Sequence, residues 1–184
     1  MTDHRNVKMT LAAREVKDRA LIEEILKMTA VCTVAMHDEP YPYVVPMNYG
    51  FEWNDELTFY LHMPRRGLRL ELLRKDPRVT LTTYTFLDRI GYKPYRGHDH
   101  DFRSVFVFGT ADLLDPTENP EEFLHAAQVF CNYNKRYDIV EITKPMRALY
   151  MLRVKADIVR CKADYPISTL EEVPIPPLEP LDGE

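Results

Sequence analysis

Glycine is scarce in this chain, with six residues in 184 against an average near 7%. They are Gly50, Gly67, Gly91, Gly97, Gly109 and Gly183, and they form neither G-x-G-x-x-G nor G-x-x-x-x-G-K-[ST]. Both phosphate-cradling loops need glycines at fixed offsets, so a Rossmann dinucleotide fingerprint and a P-loop are excluded. Cysteine is scarce as well. Cys32, Cys131 and Cys161 are odd in number and lack C-x-x-C. That argues against a disulfide scaffold or a zinc knuckle and fits a reducing cytosol. Each reads as a small buried hydrophobe rather than a nucleophile. Long apolar runs are missing, and the first twenty residues carry charge with no apolar h-region. The sequence therefore predicts no secretion signal, no membrane span and a cytoplasmic location.

A cationic excess is also missing. The net charge is −5, yet residues 163–184 hold six acids and no Lys or Arg. Acidity is thus a property of the tail, and the body is nearly neutral. Nucleic acid is not an expected partner.

What is present is an ordinary globular composition, 45% hydrophobic and 29% charged, in a chain long enough to bury a core. A helix is expected from Asp18, with Leu21, Ile22, Ile25 and Leu26 on one face. Strands are expected at 31–36, 41–51, 57–62, 78–86, 102–114 and 146–159. A short helix carries Leu68, Leu72 and Leu73, and an amphipathic one covers 120–135. Pro42 and Pro46 make the second strand irregular or an edge. The 102–114 strand is apolar on both faces and so central. In the last strand Met146, Ala148, Tyr150, Leu152, Val154, Ala156 and Ile158 alternate inward. Residues 87–100 read as a long loop. Five prolines after Ala163 make the end an extended arm. The organisation is a polar N-terminal arm at 1–14, one domain at 15–162 and an acidic proline-rich tail at 163–184. Strands joined by short turns with few helices give a mainly β fold, a six-stranded antiparallel barrel, closed or split, with flanking helices.

Two stretches carry chemistry. Residues 62–78 hold Arg65, Arg66, Arg69, Arg74, Lys75 and Arg78 against only Glu71 and Asp76. The cluster opens a short helix at Gly67, where free N–H groups and the dipole can hold a phosphate and Arg69 can clamp it. From spacing alone it reads equally as a solvated basic helix face. The stretch Tyr41 to Gly50 has open ladder positions at its prolines and an amide at Asn48 that can meet a flat heterocycle's polar edge. It reads otherwise as an aromatic-rich edge strand. His98 and His100 can face one side of an extended loop, but no third ligand stands at a fixed spacing. They read as polar loop residues near a substrate, and no metal site is assigned.

Together the motifs resemble the FMN-binding split-barrel superfamily that includes pyridoxamine 5'-phosphate oxidase, and within it the nitroimidazole-resistance (Nim-like) branch. The counterparts are Pro42 to Gly50, Phe59-Tyr60-Leu61-His62 with Gly67 and Arg69, Asp76-Pro77-Arg78-Val79, and Phe102-Arg103-Ser104-Val105 leading to Phe108-Gly109. The resemblance covers about residues 14–160. It implies a split barrel forming a homodimer with FMN at the subunit interface. Val45, Pro46, Met47 and Asn48 would contact the isoalloxazine. His62, Met63, Arg66, Gly67, Leu68 and Arg69 would surround the ribityl phosphate, and Ser104 would reach the flavin from the partner subunit. The implied function is an FMN-dependent oxidoreductase acting on a small organic substrate such as a nitro compound, with no catalytic residue assigned. A non-catalytic flavin-binding dimer, or a split barrel using haem or a deazaflavin, stays open beside it.

Overall fold

Alternating apolar and polar residues build one antiparallel sheet curled into a half-barrel. The computed structural model describes residues 8–86, 102–135 and 138–163. Among them the elements are β1 (Glu15–Val16), α1 (Arg19–Lys27), β2 (Val31–Met36), β3 (Tyr43–Asn48), β4 (Gly50–Trp53), β5 (Leu57–Pro64), α2 (Leu68–Lys75), β6 (Arg78–Phe86), β7 (Phe102–Leu114), α3 (Pro120–Tyr133) and β8 (Leu149–Ala163). The strand order is β3-β2-β6-β7-β8-β5-β4, and β1 pairs with β8 off this path. Every pairing is antiparallel.

The fold class expected from the sequence is the one observed, with a different strand count. The strand read at 41–51 divides at Tyr49: β3 pairs with β2, while β4 pairs with β5. These are the two ends of the strand order. A single bend therefore joins the edges of the sheet through the chain itself, and seven strands stand in the path where six were expected. β3 is thus an edge strand, which suits the missing donor at Pro46.

The final strand departs from simple alternation. Phe108 stands opposite Ile158 and Gly109 opposite Ala156, so Asp157 is an extra residue, a β-bulge. Beyond it the inward set becomes Val159, Cys161 and Ala163, and Ile158 does not join the inward row as expected. A Cβ at Gly109 would lie 2.2 Å from the Lys155 carbonyl oxygen, so the bulge requires a glycine there. The strand also begins later than 146, because Pro145–Ala148 form a 3-10 turn.

The helices cover different surfaces. α1 is capped by Asp18, whose carboxylate accepts from Leu21 N–H at 3.0 Å, and it buries Ile22, Ile25 and Leu26. Its terminal carbonyls are caught by two tyrosines. Tyr49 donates to Leu26 O at 2.7 Å, and the Tyr133 hydroxyl lies 2.5 Å from Leu26 O and 2.6 Å from Thr29 O. α3 lies on the outer face of β4, β5 and β8, packing Phe123, Ala126, Ala127 and Phe130 against Tyr60, Leu114 and Met151. Among the described residues no helix is long and apolar enough to cross a membrane. Residues 87–101, which include the loop expected at 87–100 with His98 and His100, lie outside the described residues, as do the tail from 164 and residues 1–7 of the N-terminal arm.

Candidate functional site

β5 ends at Pro64, and a tight turn leads into α2. Gly67 closes that turn with φ +100° and ψ 171°, a conformation open to glycine and hostile to other residues. No side chain caps the helix; Leu70 N–H donates to the Gly67 carbonyl at 3.0 Å, and the Leu68 and Arg69 N–H groups have no partner among the described residues. Arg69 lies one position into that turn. Its Nη1 sits 3.4 Å from the Met47 sulfur, and its Nε is buried with no hydrogen-bond partner. The contact brings together two stretches that the sequence singled out independently, the basic helix and the edge strand.

The basic cluster sorts itself by partner. Arg65 is paired with the buried Asp115 and lies 4.5 Å over the Tyr150 ring. Burial alone would raise the Asp115 pKa, but the Thr117 N–H at 2.7 Å and Arg65 hold it below its ordinary value. Arg78 grips Asp76 through Nε at 2.9 Å and Nη2 at 2.6 Å, which depresses the Asp76 carboxyl. Arg66, Arg69, Arg74 and Lys75 form no ion pair among the described residues. Of these, only Arg69 combines a buried nitrogen with a position in the helix's first turn. A charge held there without an acceptor is a place prepared for an anion.

On β3 the pleat splits the predicted residues between two faces. Val45 and Met47 point into the barrel, while Pro46 and Asn48 are exposed outside. Asn48 Nδ2 donates to Ala30 O at 3.4 Å, which leaves its carbonyl oxygen outward. The free edge of β3 supplies unpaired backbone groups beside them. Arg66, Gly67 and Leu68 are exposed around the turn.

Three predicted residues stand apart from that group. Met63 is 1% exposed within the core, so it offers the site backbone only. His62, its neighbour, faces the opposite side and sits edge-on to Phe130, with ring centroids 5.1 Å apart. Ser104 lies on β7, with β2 and β6 between it and β3. At about 4.8 Å per strand, that places it roughly 14 Å from Asn48 in the same chain.

The sequence sets Asp76 against the cluster but gives no sign of the acid that removes Arg65, because Asp115 is fifty residues away and carries no local signal. The sequence also gives no sign of a cleft of about 640 Å³ on the outer face, lined by His37, Asp76, Arg78, Thr80, Thr110 and Asp157. It contains none of the predicted residues, and its Arg78 is already neutralised by Asp76. Among the described residues, no group of three or more His, Cys, Asp or Glu could hold a metal ion. All three cysteines are buried, and burial pushes the Cys32 and Cys161 thiols up to about 12. Those two are poor nucleophiles, as the sequence indicated.

A family model described as pyridoxamine 5'-phosphate oxidase matches residues 18–162. A search of curated proteins finds no match. Among solved structures, a Bacteroides thetaiotaomicron protein described as a candidate 5-nitroimidazole antibiotic resistance protein is 28% identical, with a TM-score of 0.63 over 81% of this chain and 86% of its own. An FAD-binding protein from Mesorhizobium loti is 20% identical, with a TM-score of 0.57 over 82% of this chain and 96% of its own. An FAD and heme binding protein from Mycobacterium smegmatis is 14% identical, with a TM-score of 0.58 over 82% of this chain and 73% of its own. The last two likenesses concern the fold alone.

Proposed function

This chain belongs to the pyridoxamine 5'-phosphate oxidase family, and from that premise we propose that it binds FMN and reduces a small organic substrate, with nitro-aromatics as the class to try first. The observation that carries the reading is Arg69. Its buried, unanswered Nε and its place in the uncapped first turn of α2 suit a terminal phosphate, and its contact with Met47 ties that phosphate to the edge strand. The fit is good without any rearrangement of ion pairs.

In this reading the first-turn N–H groups and the Arg69 guanidinium hold the phosphate, with Arg66 adding long-range attraction. The free edge of β3 and the Asn48 amide meet the polar rim of the ring. Gly67 keeps the turn in the conformation that directs these groups to one point. His62 stays outside this group, on the opposite side of β5 with its ring against Phe130. When bound, FMN supplies reversible hydride acceptance, which no side chain can; the protein supplies position and electrostatics. The 28% identical resistance protein supports nitro compounds as the first substrates to test.

The same proposal includes a homodimer. The outer face of β3, β2, β6 and β7 carries Val31, Val44, Tyr84 and Phe106 exposed, and α3 covers only the other half. Ser104 stands opposite the exposed Tyr84 on that face and is itself 9% exposed, so a second copy seated there would bring Ser104 toward its partner's β3.

The test is a titration of the flavin-free protein with FMN, followed by flavin fluorescence. A charge-assisted phosphate contact contributes about 1.5–3 kcal/mol, so Arg69→Ala should weaken binding about ten- to a hundredfold. Arg74→Ala, farther along the helix, should change it little. Equal losses in both variants would reduce the cluster to a diffuse field, and no loss at Arg69 would remove the assignment. Bleaching of the bound flavin by NAD(P)H, with turnover of a nitroimidazole, checks the activity.

A further inference from the structure

At the end of the barrel where α1 stops, β7 directs a cation inward that no acid among the described residues answers. Arg103 is 3% exposed. Its Nε is buried without an acceptor, and Nη1 reaches only the Met28 sulfur at 3.7 Å. The register sets it opposite Thr85 on β6 and Ala163 on β8, neither of which carries charge. The carbonyls at the α1 terminus that could have met a cation, Leu26 O and Thr29 O, are already engaged by the Tyr49 and Tyr133 hydroxyls. Three other sheltered arginines have acids beside them: Arg65 has Asp115, Arg153 has Asp112 and Glu122, and Arg160 has Glu15.

A guanidinium cannot shed its proton, and taking it out of water without a counter-charge is strongly unfavourable. The Lys162 ammonium and the Arg14 guanidinium lie 5.7 and 5.8 Å from the centre of the Phe102 ring, one residue along the same strand, and the acid among them, Glu15 opposite Lys162, is taken up by Lys17 and Arg160. A buried fork with no acid beside it among the described residues is completed by an anion.

We propose that Arg103 anchors a binding site for a small monocarboxylate at this end of the barrel. The planar fork matches a carboxylate bidentately. One charge neutralises one charge, whereas a phosphate dianion would leave a buried excess of negative charge. Met28, Val105 and Ala163, beside or opposite Arg103, suit an apolar body behind the carboxylate. The site is distinct from the one at α2, because β2 and β6 separate β7 from β3.

Calorimetric titration of the full chain with sodium benzoate, and separately with inorganic phosphate at matched ionic strength, tests this. The expected result is saturable one-to-one benzoate binding that weakens at least tenfold in Arg103→Met and persists in Arg69→Ala. The melting temperature of ligand-free Arg103→Met should rise, since an uncompensated buried charge has been replaced by a similar apolar volume; a merely structural arginine would give a fall. Absence of saturable benzoate binding in the wild type would overturn the proposal, as would unchanged binding in Arg103→Met or, in Arg69→Ala, tighter binding of phosphate than of benzoate. If Arg103→Met does not fold, the wild-type titration and Arg103→Lys decide. Lysine keeps the charge but loses the fork, so undiminished benzoate binding in that variant would overturn the bidentate assignment.

Discussion

The two halves of the sheet's outer face are built from the same alternating strands and treated in opposite ways. Over β4, β5 and β8 the chain lays its own helix, α3, and presses it down until Gly50 has room for nothing larger: a Cβ there would lie 2.7 Å from the Phe130 Cα and 2.9 Å from the Val129 carbonyl oxygen. Over β3, β2, β6 and β7 no described element lies, and Tyr84 is 61% and Phe106 42% exposed. The first half is finished within one chain. The second carries exposed apolar side chains with no cover among the described residues. It also borders β3, where the proposed ring-binding edge lies, so whatever seats on it can shape that site.

Removing a side chain from the finished half should cost most. Phe123 is 1% exposed, and Phe123→Ala should destabilise the fold by about 3–5 kcal/mol in urea unfolding. A loss below about 1 kcal/mol would mean that α3 rests loosely and the contrast is false. Gly50→Ala should cost about 3 kcal/mol, the upper end for overpacking, because the atoms it meets are backbone and cannot swing aside.

The bare half should respond differently. Phe106→Glu should leave circular dichroism and monomer stability nearly unchanged while weakening self-association by about 2 kcal/mol, read by light scattering across a dilution series. Dimers that persist undiminished would place the interface elsewhere.

The smallest effect concerns the polar rim under α3. The Glu52 carboxylate accepts from the Tyr60 hydroxyl at 2.5 Å and stands 3.0 Å from His125 Nε2. Burial alone would raise its pKa, but the His125 and Tyr60 hydrogen bonds lower it overall. A carboxyl depressed on folding stabilises above its unfolded pKa near 4.3, and that contribution is lost as pH falls through the folded value. Glu52→Gln should therefore cost less than about 1 kcal/mol at pH 7. The variant and the wild type should converge in urea unfolding at pH 3, and a gap that widens in acid would reverse the assigned sign.

The contrast between the halves also marks what the sequence could disclose. Periodicity revealed both faces of 102–114 as apolar, and Asp18, Gly67 and Pro46 announced their roles through local chemistry. The bend at Tyr49 did not show, because both pieces keep the same alternation and only their partners differ. The bulge at Asp157 stayed hidden because a one-residue slip exchanges inward and outward sets without altering composition. Met63 and His62 were read as a pair on one ligand, though adjacency in a strand sends them to opposite faces. The fates of Arg65 and Arg103 depended on which acids the fold brought near, information that resides in long-range contacts alone.

The three sulfurs give this architecture a built-in clock. Cys32 and Cys161 belong to the barrel interior, whereas Cys131 lies beneath α3. Alkylating reagents attack thiolates, and buried neutral thiols react only during openings that admit solvent. Rates of modification at the three positions, resolved by mass spectrometry of peptides, therefore time two separate events: the lifting of a helix and the parting of a sheet. Modification of Cys131 well ahead of the other two would reveal a fold that peels from one side, and a common rate would reveal one that opens as a unit.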